Sequence, residues 1–308
     1  MRISLPSFTA GALAATLMVA VPATALVGLA AAPDPHPNTY DGASPSLNMR
    51  PVEFVVGDSI NAAEPPGEFC GPAIWNAATL KMKWSGSDAI SGLAGYDVWA
   101  AGPSYGGVEK LVEGTSATSY GYDGTNYTGD CGGGSEVDNH YWVGTKDNRG
   151  NTATTNQVGQ HFDVWTENGI DVTGEEAGLP MTRTGTWTVA SCACFNHGKT
   201  LYSTAKGASL TYKVTTTNPG QVLALVVAKN TNRGTVNISV DGGTATAVNT
   251  YASAPKHRVI VWQKALGVGT HTVKLTNAGT PGHSRVYVDT LMLTSGPTNQ
   301  SPPDLPED

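Results

Sequence analysis

Short runs of alternating apolar and polar residues, separated by glycine-rich turns, recur along most of the chain. Leu80, Met82 and Trp84 alternate with two lysines, and the run ends at the turn Ser85-Gly86-Ser87-Asp88. A period of two places apolar side chains on one face of a β-strand. The 37 glycines and 19 prolines in 308 residues favour tight turns over helices. The sequence therefore predicts an all-β fold, and a chain of this length holds about two domains.

The N-terminus reads as a secretory signal peptide over residues 1–32. Met1-Arg2 precedes an apolar stretch rich in Ala, Leu and Val, with small-residue cleavage points after Ala25 or Ala30. An uncleaved N-terminal anchor is the alternative interpretation, because the basic region holds a single arginine. Downstream there is no apolar run of the roughly 18 residues that a membrane helix needs. We therefore expect a secreted, extracellular protein without a membrane span.

Composition divides the rest of the chain into four segments. Residues 33–49 predict a disordered leader, and residues 295–308 predict a disordered acidic tail rich in proline. Two blocks, 50–168 and 169–294, lie between them. The first carries a net charge of -9, whereas residues 170–294 carry +6. Either the acidic block docks onto the basic one, or both are solvated, or the basic block approaches an anionic polymer.

The first block shows a recognisable pattern around its tryptophan. The stretch from Trp84 to Val98, with Tyr141 and the loop Asp147-Asn148-Arg149-Gly150-Asn151, resembles the fibronectin type III-like modules of secreted bacterial proteins. The resemblance implies an Ig/fibronectin type III-like β-sandwich that acts as a spacer. It also implies core positions for the aromatic residues Trp84, Tyr96 and Trp142.

The second block contains six runs typical of strands, separated by turn residues. The strand spacing is that of a β-sandwich or jelly roll. The six ranges are 208–214, 221–228, 234–240, 257–263, 270–276 and 284–293. Two tandem β-sandwiches are therefore expected.

Several motifs of the second block resemble the galactose-binding-like jelly-roll modules of carbohydrate-active proteins. Among them are Gly185-Thr186-Trp187, Val240-Asp241-Gly242-Gly243 and the run from Arg285 to Asp289. Many modules of that fold bind sugars, with aromatic rings on the sugar faces and polar groups on the hydroxyls. The resemblance therefore suggests carbohydrate contacts at Trp187, Phe195, Asn232, Arg233, Tyr251, Trp262 and His271. Each has a plainer alternative, since Trp262 can be core, Tyr251 can cap a loop and His271 can fix a turn.

The four cysteines suit an oxidising compartment. Cys70 and Cys131 lie in the first block and are the natural disulfide pair. Cys192 and Cys194 form a disulfide, stay as thiols, or join His197 in a metal cluster. A zinc site needs a fourth ligand, and none is obvious, so we predict no such site.

No cofactor is predicted, although a structural calcium ion stays open. Calcium-dependent relatives of the jelly-roll family bring early acidic ligands to the sandwich edge. Glu175, Glu176 and Asp289 are the residues that could serve in this chain.

One segment looks like part of an enzyme. Residues 54–60 resemble the opening block of the Gly-Asp-Ser esterases, whose serine needs a histidine base from an Asp-x-x-His pair. None of the seven histidines has an aspartate three residues before it, and that family needs an α/β sheet. We therefore predict no enzyme, and the net charge of -7 disfavours nucleic-acid binding.

The sequence as a whole favours a secreted, monomeric, non-catalytic binding or adhesion protein. Its partner would be a carbohydrate or a cell-surface polymer, bound by the second sandwich. The alternatives are a structural or protein-interaction protein without a sugar site, and a hydrolase whose active site escapes motif analysis.

Overall fold

The computed structural model describes residues 41–63, 75–102, 104–126, 139–170, 178–296 and 301–303. Apart from one 3-10 turn at Asn196–Gly198, all regular structure in these ranges is β-strand. No helix of this part of the chain is long and apolar enough to cross a membrane. The prediction of an all-β fold is confirmed.

Ten strands are present among the described residues of the first half of the molecule. They form two antiparallel sheets. In the first sheet, the long strand β4 pairs with β1, β2, β3 and β7. In the second sheet, the strand order is β10-β8-β5-β6, and β9 also pairs with β8. The bounds are β1 Ser46–Met49, β2 Glu53–Phe54, β3 Asn61–Ala63, β4 Trp75–Ser87, β5 Leu93–Gly102, β6 Gly107–Thr115, β7 Ser119–Thr125, β8 His140–Asp147, β9 Thr152–Thr154 and β10 Val158–Gly159.

The alternating residues of β4 fill the core of this first sandwich. Leu80 and Met82 are fully buried, and Trp84 meets Tyr96 edge to face with ring centroids 5.8 Å apart. Trp142 is also fully buried and lies parallel to Trp99. The core positions expected for Trp84, Tyr96 and Trp142 are confirmed.

The segment predicted as a disordered leader, residues 33–49, is partly ordered. Ser46–Met49 forms β1 and pairs with β4 over Trp84–Ser87. Leu47 and Met49 alternate with Ser46 and Asn48, and these two apolar side chains pack against the first core. The expectation of disorder overlooked this short alternating run, because the prolines and serines around it dominate the composition. Residues 33–40 lie outside the described part.

The second half, as far as the structure describes it, contains twelve strands. One sheet has the order β11-β22-β16-β19, a second has the order β12-β15-β20-β17-β18, and a small third sheet has the order β13-β14-β21. The six strand ranges predicted from the sequence are present, and the last is divided into two strands at Asp289. The bounds are β11 Phe162–Thr166, β12 Met181–Thr184, β13 Thr188–Ser191, β14 Lys199–Ser203, β15 Ser209–Thr216, β16 Val222–Lys229, β17 Thr235–Val240, β18 Thr246–Asn249, β19 Lys256–Ala265, β20 Gly269–Asn277, β21 Val286–Val288 and β22 Thr290–Thr294.

The second half begins earlier and ends later than the predicted boundaries 169–294. Strand β11, placed by the sequence in the first block, pairs with β22 from Phe162↔Thr294 to Thr166↔Thr290. Beyond 294, Ser295 donates from its backbone N–H and its hydroxyl to the carbonyl of His161. The start of the predicted tail is therefore tied to the body of the molecule.

Strand β16 lies between two cores and is buried on both faces. Its alternate residues Val222, Ala224 and Val226 share a core with the first sandwich, whereas Leu223, Leu225 and Val227 belong to the core of the second. Phe54 of β2 and Phe162 of β11 meet edge to face in the first of these cores, with centroids 5.4 Å apart. The two sandwiches therefore share one sheet.

The esterase-like segment, residues 54–60, has a structural role. Gly57 N–H donates to the Ile260 carbonyl and Ile60 N–H donates to the Arg258 carbonyl, each at 2.8 Å, while Ser59 bridges Val259. The segment thus lies along the outer edge of β19. This geometry agrees with the plainer interpretation of a strand followed by a loop.

Candidate functional site

Two arginines and two tyrosines stack at the end of the second sandwich where β17 begins. Tyr202 on β14 faces Tyr287 on β21, with ring centroids 5.0 Å apart and planes 13° apart. The Arg233 guanidinium lies 3.7 Å from the Tyr287 ring centre, and that of Arg285 lies 4.9 Å from Tyr202. We call these four residues the Arg–Tyr ladder. A cation over a desolvated ring contributes about 2 kcal/mol, so the ladder holds β14 and β21 to the segment just before β17 that carries Arg233.

The ladder is largely closed to a ligand. Arg233 is 7% exposed and Tyr287 is 6% exposed, while Phe195, also 7% exposed, packs against Tyr287. Burial lowers the pKa of the Arg233 guanidinium below its ordinary value. Phe195 and Arg233, both proposed as sugar contacts, thus lie in the structure mainly as buried supports.

An exposed ring stands beside the ladder. Tyr251 is 42% exposed, the one aromatic ring among the exposed large apolar side chains of the described residues. It meets His283 edge to face at 5.3 Å, and the carbonyl of Asn230 accepts hydrogen bonds from Arg233 N–H and Ala252 N–H. We call Tyr251, His283, Asn230 and the exposed Asn232 the Tyr251 surface. It brings two of the predicted site residues, Asn232 and Tyr251, into one place.

The other three predicted contacts lie elsewhere. Trp262 is 8% exposed and belongs to the second core, as its plainer alternative had it. His271 binds the Asp241 carboxylate at 2.7 Å and the Gly267 carbonyl at 2.9 Å, at the far end of β17. The six residues of β17 separate that end from Arg233, and a strand of this length spans about 20 Å. Trp187 is half-buried and packs against the second core.

The Cys192–Cys194 disulfide predicted as one of three alternatives is present. It closes the loop that carries Phe195, and the Arg258 guanidinium donates to the carbonyls of Ala193 and Phe195. A metal cluster with His197 is thereby excluded, because both thiolates are used. Cys70 and Cys131 lie outside the described residues.

Of the calcium ligands that the sequence left open, Asp289 alone is described. Its two carboxylate oxygens accept the backbone N–H of Asn196 at 3.0 and 3.2 Å. Burial raises its pKa to about 8, and the neighbouring buried Glu167 contributes to the rise. Glu175 and Glu176 lie outside the described residues.

Sequence reasoning missed Tyr202, Tyr287 and Arg285. The signal was present, since a strand places residues 285, 287 and 289 on one face, opposite the buried Val286 and Val288. The partner ring Tyr202 came from a strand about 85 residues earlier, and no local pattern links the two.

No protein-family model matches the chain, and no curated protein sequence does. Among solved structures it is similar to a family 35 carbohydrate-binding module from Clostridium thermocellum, with 17% identity over 37% of this chain and 91% of that one, at a TM-score of 0.31. The CBM35 from Cellvibrio japonicus Abf62 is 16% identical over 43% of this chain and 92% of that one, at a TM-score of 0.33. The GH26-CBM35 β-(1,4)-mannanase of Podospora anserina is 17% identical, at a TM-score of 0.32. That match covers 46% of this chain and only 29% of the mannanase. Carbohydrate-binding modules are thus among the solved structures that this chain resembles.

Proposed function

We propose that this is a secreted, non-catalytic protein that binds a carbohydrate or cell-surface polymer through the Tyr251 surface. The observation that carries the proposal is the exposed ring of Tyr251, whose backbone bridges Asn230, two residues before the exposed Asn232. An aromatic ring buries the apolar face of a sugar, and amide groups bind its hydroxyls. The signal-peptide-like segment 1–32 supports the extracellular address.

The backbone under this surface is held in place before any ligand arrives. Tyr251 N–H donates to the Asn249 side chain at 2.9 Å. Thr250 donates to the Gly234 carbonyl twice, from its N–H at 2.9 Å and from its hydroxyl at 2.7 Å. A surface ordered in advance loses little conformational entropy on binding. The Arg–Tyr ladder below it adds to this rigidity.

Charge favours polymers with anionic groups. Residues 170–294 carry +6, against -9 for residues 50–168. A positive field raises the association rate of an anionic ligand. In this proposal the first sandwich supports the second one and does not itself bind.

The test is a glycan array and a pull-down on insoluble polysaccharides, with the whole chain from residue 33 onward. The whole chain is needed because the two sandwiches share a sheet. We expect Tyr251→Ala to weaken binding at least about tenfold, or about 1.4 kcal/mol. Tyr251→Phe keeps the ring and should bind like the parent.

Val268→Ala is the matched control, because Val268 is 63% exposed and lies in the loop between β19 and β20. Its binding should equal that of the parent. If a folded parent binds no glycan, the proposal fails, and the burial of Phe195, Arg233 and Trp262 then favours the structural or protein-interaction alternative. Release of reducing sugar from the same polysaccharides would instead identify a hydrolase.

A further inference from the structure

Three aspartates from distant parts of the chain meet at one end of the first sandwich. Asp41 lies just before β1, Asp88 lies in the turn after β4, and Asp147 ends β8. The pairs Ser46↔Ser87 and Leu93↔Asp147 bring these three points together. One carboxylate oxygen from each residue lies within 4.8 Å of the other two. We call these residues the Asp triad.

Two of the three carboxylates are held by the loops around them. Asp88 Oδ1 accepts the backbone N–H groups of Ser91 at 2.6 Å and Gly92 at 2.9 Å. Asp147 Oδ1 accepts the N–H groups of Arg149 and Asn151, both at 2.8 Å. The hydrogen bond from Ser91 is the main cause that lowers the pKa of Asp88. For Asp147, burial raises the pKa, but the bonds from Asn151 and Arg149 outweigh it.

The third carboxylate is buried and incompletely bonded. Asp41 is 8% exposed, and its Oδ2 is buried without a hydrogen-bond partner. Its Oδ1 accepts the Ala43 N–H at 3.2 Å, while its backbone carbonyl accepts the Asn151 amide at 2.9 Å. A buried carboxylate oxygen without a donor is unfavourable, and a bound cation would satisfy it. The two other carboxylates nearby add repulsion.

We propose that the Asp triad binds a calcium ion. The donors are all carboxylate oxygens, with no sulfur or imidazole among the three, which suits a hard cation. Oxygens that bind one Ca²⁺ at about 2.4 Å lie at most about 4.8 Å apart, and the three carboxylate oxygens meet this condition. The ion ties the start of the first sandwich to the turn after β4 and to the end of β8. The site is separate from the Tyr251 surface and does not depend on carbohydrate binding.

The experiment is a Ca²⁺ titration of the chelator-treated full chain, followed by calorimetry and by thermal unfolding, at constant ionic strength. Saturable binding should raise the Tm by about 5 °C at roughly 100 times the Kd. Asp41→Asn should weaken Ca²⁺ binding at this site at least tenfold and should remove the rise in Tm. Asp88→Asn is the second variant and should act in the same direction.

The measurement in chelator separates a lost site from a damaged fold. Without Ca²⁺, Asp41→Asn should melt at or above the parent's Tm, because the amide removes a buried negative charge that lies close to two other carboxylates. Asp123→Asn, an exposed aspartate on β7, is the matched control and should bind like the parent. The proposal is overturned if millimolar Ca²⁺ leaves the parent's Tm unchanged, or if Asp41→Asn binds and responds to Ca²⁺ as the parent does.

Discussion

Asp289 shows how one buried side chain can link stability to pH. It lies where the chain crosses from β21 to β22, fully buried, and burial raises its pKa to about 8. In the unfolded chain an aspartate has a pKa of about 3.9. Between these two values the folded state binds more protons than the unfolded state. The free energy of unfolding therefore falls as the pH rises through that window.

We expect Asp289→Asn to flatten this dependence. The amide oxygen can still accept the Asn196 N–H, but the residue no longer ionises. Denaturant unfolding at about pH 5 and about pH 8 should show a larger loss of stability in the parent than in the variant, by up to about 1.4 kcal/mol for each pH unit between the two conditions. Asp123→Asn serves as the control and should keep the parent's slope. Equal slopes in the parent and in Asp289→Asn would show that the carboxyl group is not protonated in the folded state.

Residue types were easier to predict than their surroundings. The sequence suggested Arg233, Phe195 and Tyr251 as sugar contacts, but the structure buries the first two side chains and leaves the Tyr251 ring exposed. Whether a side chain at a strand end is covered depends on loops from elsewhere in the chain. Asp41 was missed for a similar reason, because the two carboxylates that it meets lie 47 and 106 residues further along the sequence.

At the scale of the element, β17 depends on a glycine at its entrance. Gly234 N–H donates to the Arg285 carbonyl at 2.9 Å. A Cβ atom at this position would lie 1.9 Å from the carbonyl oxygen of His283, so a side chain cannot fit without a shift of the backbone. This close approach brings the two arginine-bearing segments of the Arg–Tyr ladder together.

We therefore expect Gly234→Ala to destabilise the fold by about 1–3 kcal/mol, the usual range for overpacking. Gly267→Ala is a matched control, because nothing lies within 4 Å of its Cβ position. Denaturant unfolding of both variants measures the difference. If the two variants are equally stable, the segment at His283 moves aside at little cost.

Strands were predictable, but their pairing was not. Alternation located β4, β15 and β17 because the period of two is local. By contrast, the partner of β11 is β22, and no local signal distinguishes a last strand of the first sandwich from a first strand of the second. The apolar run of β16 is typical of a strand buried on both faces, but no local pattern shows that two different cores cover it.

At the scale of the whole molecule, the shared sheet implies cooperative unfolding. The core of the first sandwich includes Phe162 and Ala224 from the second, so loss of either sandwich exposes apolar surface of the other. Residues 41–308 form one compact unit. The two sandwiches should therefore unfold together.

Leu80→Ala in the first core and Leu210→Ala in the second test this expectation, since both side chains are fully buried. Each change should cost about 2–5 kcal/mol and move one single calorimetric transition to lower temperature. Two transitions, with each variant shifting only its own, would mean that the sandwiches are independent.

The double-sided burial of β16 also bears on how such a chain can be inherited. A domain that spreads between proteins by recombination must leave no large apolar face uncovered when it is separated from its former neighbour. A gene fragment for residues 169–294 would lack β11 and would leave Val222, Ala224 and Val226 facing water. We therefore expect the two sandwiches to have been transmitted as a pair, with substitutions at their common sheet compensated across both halves.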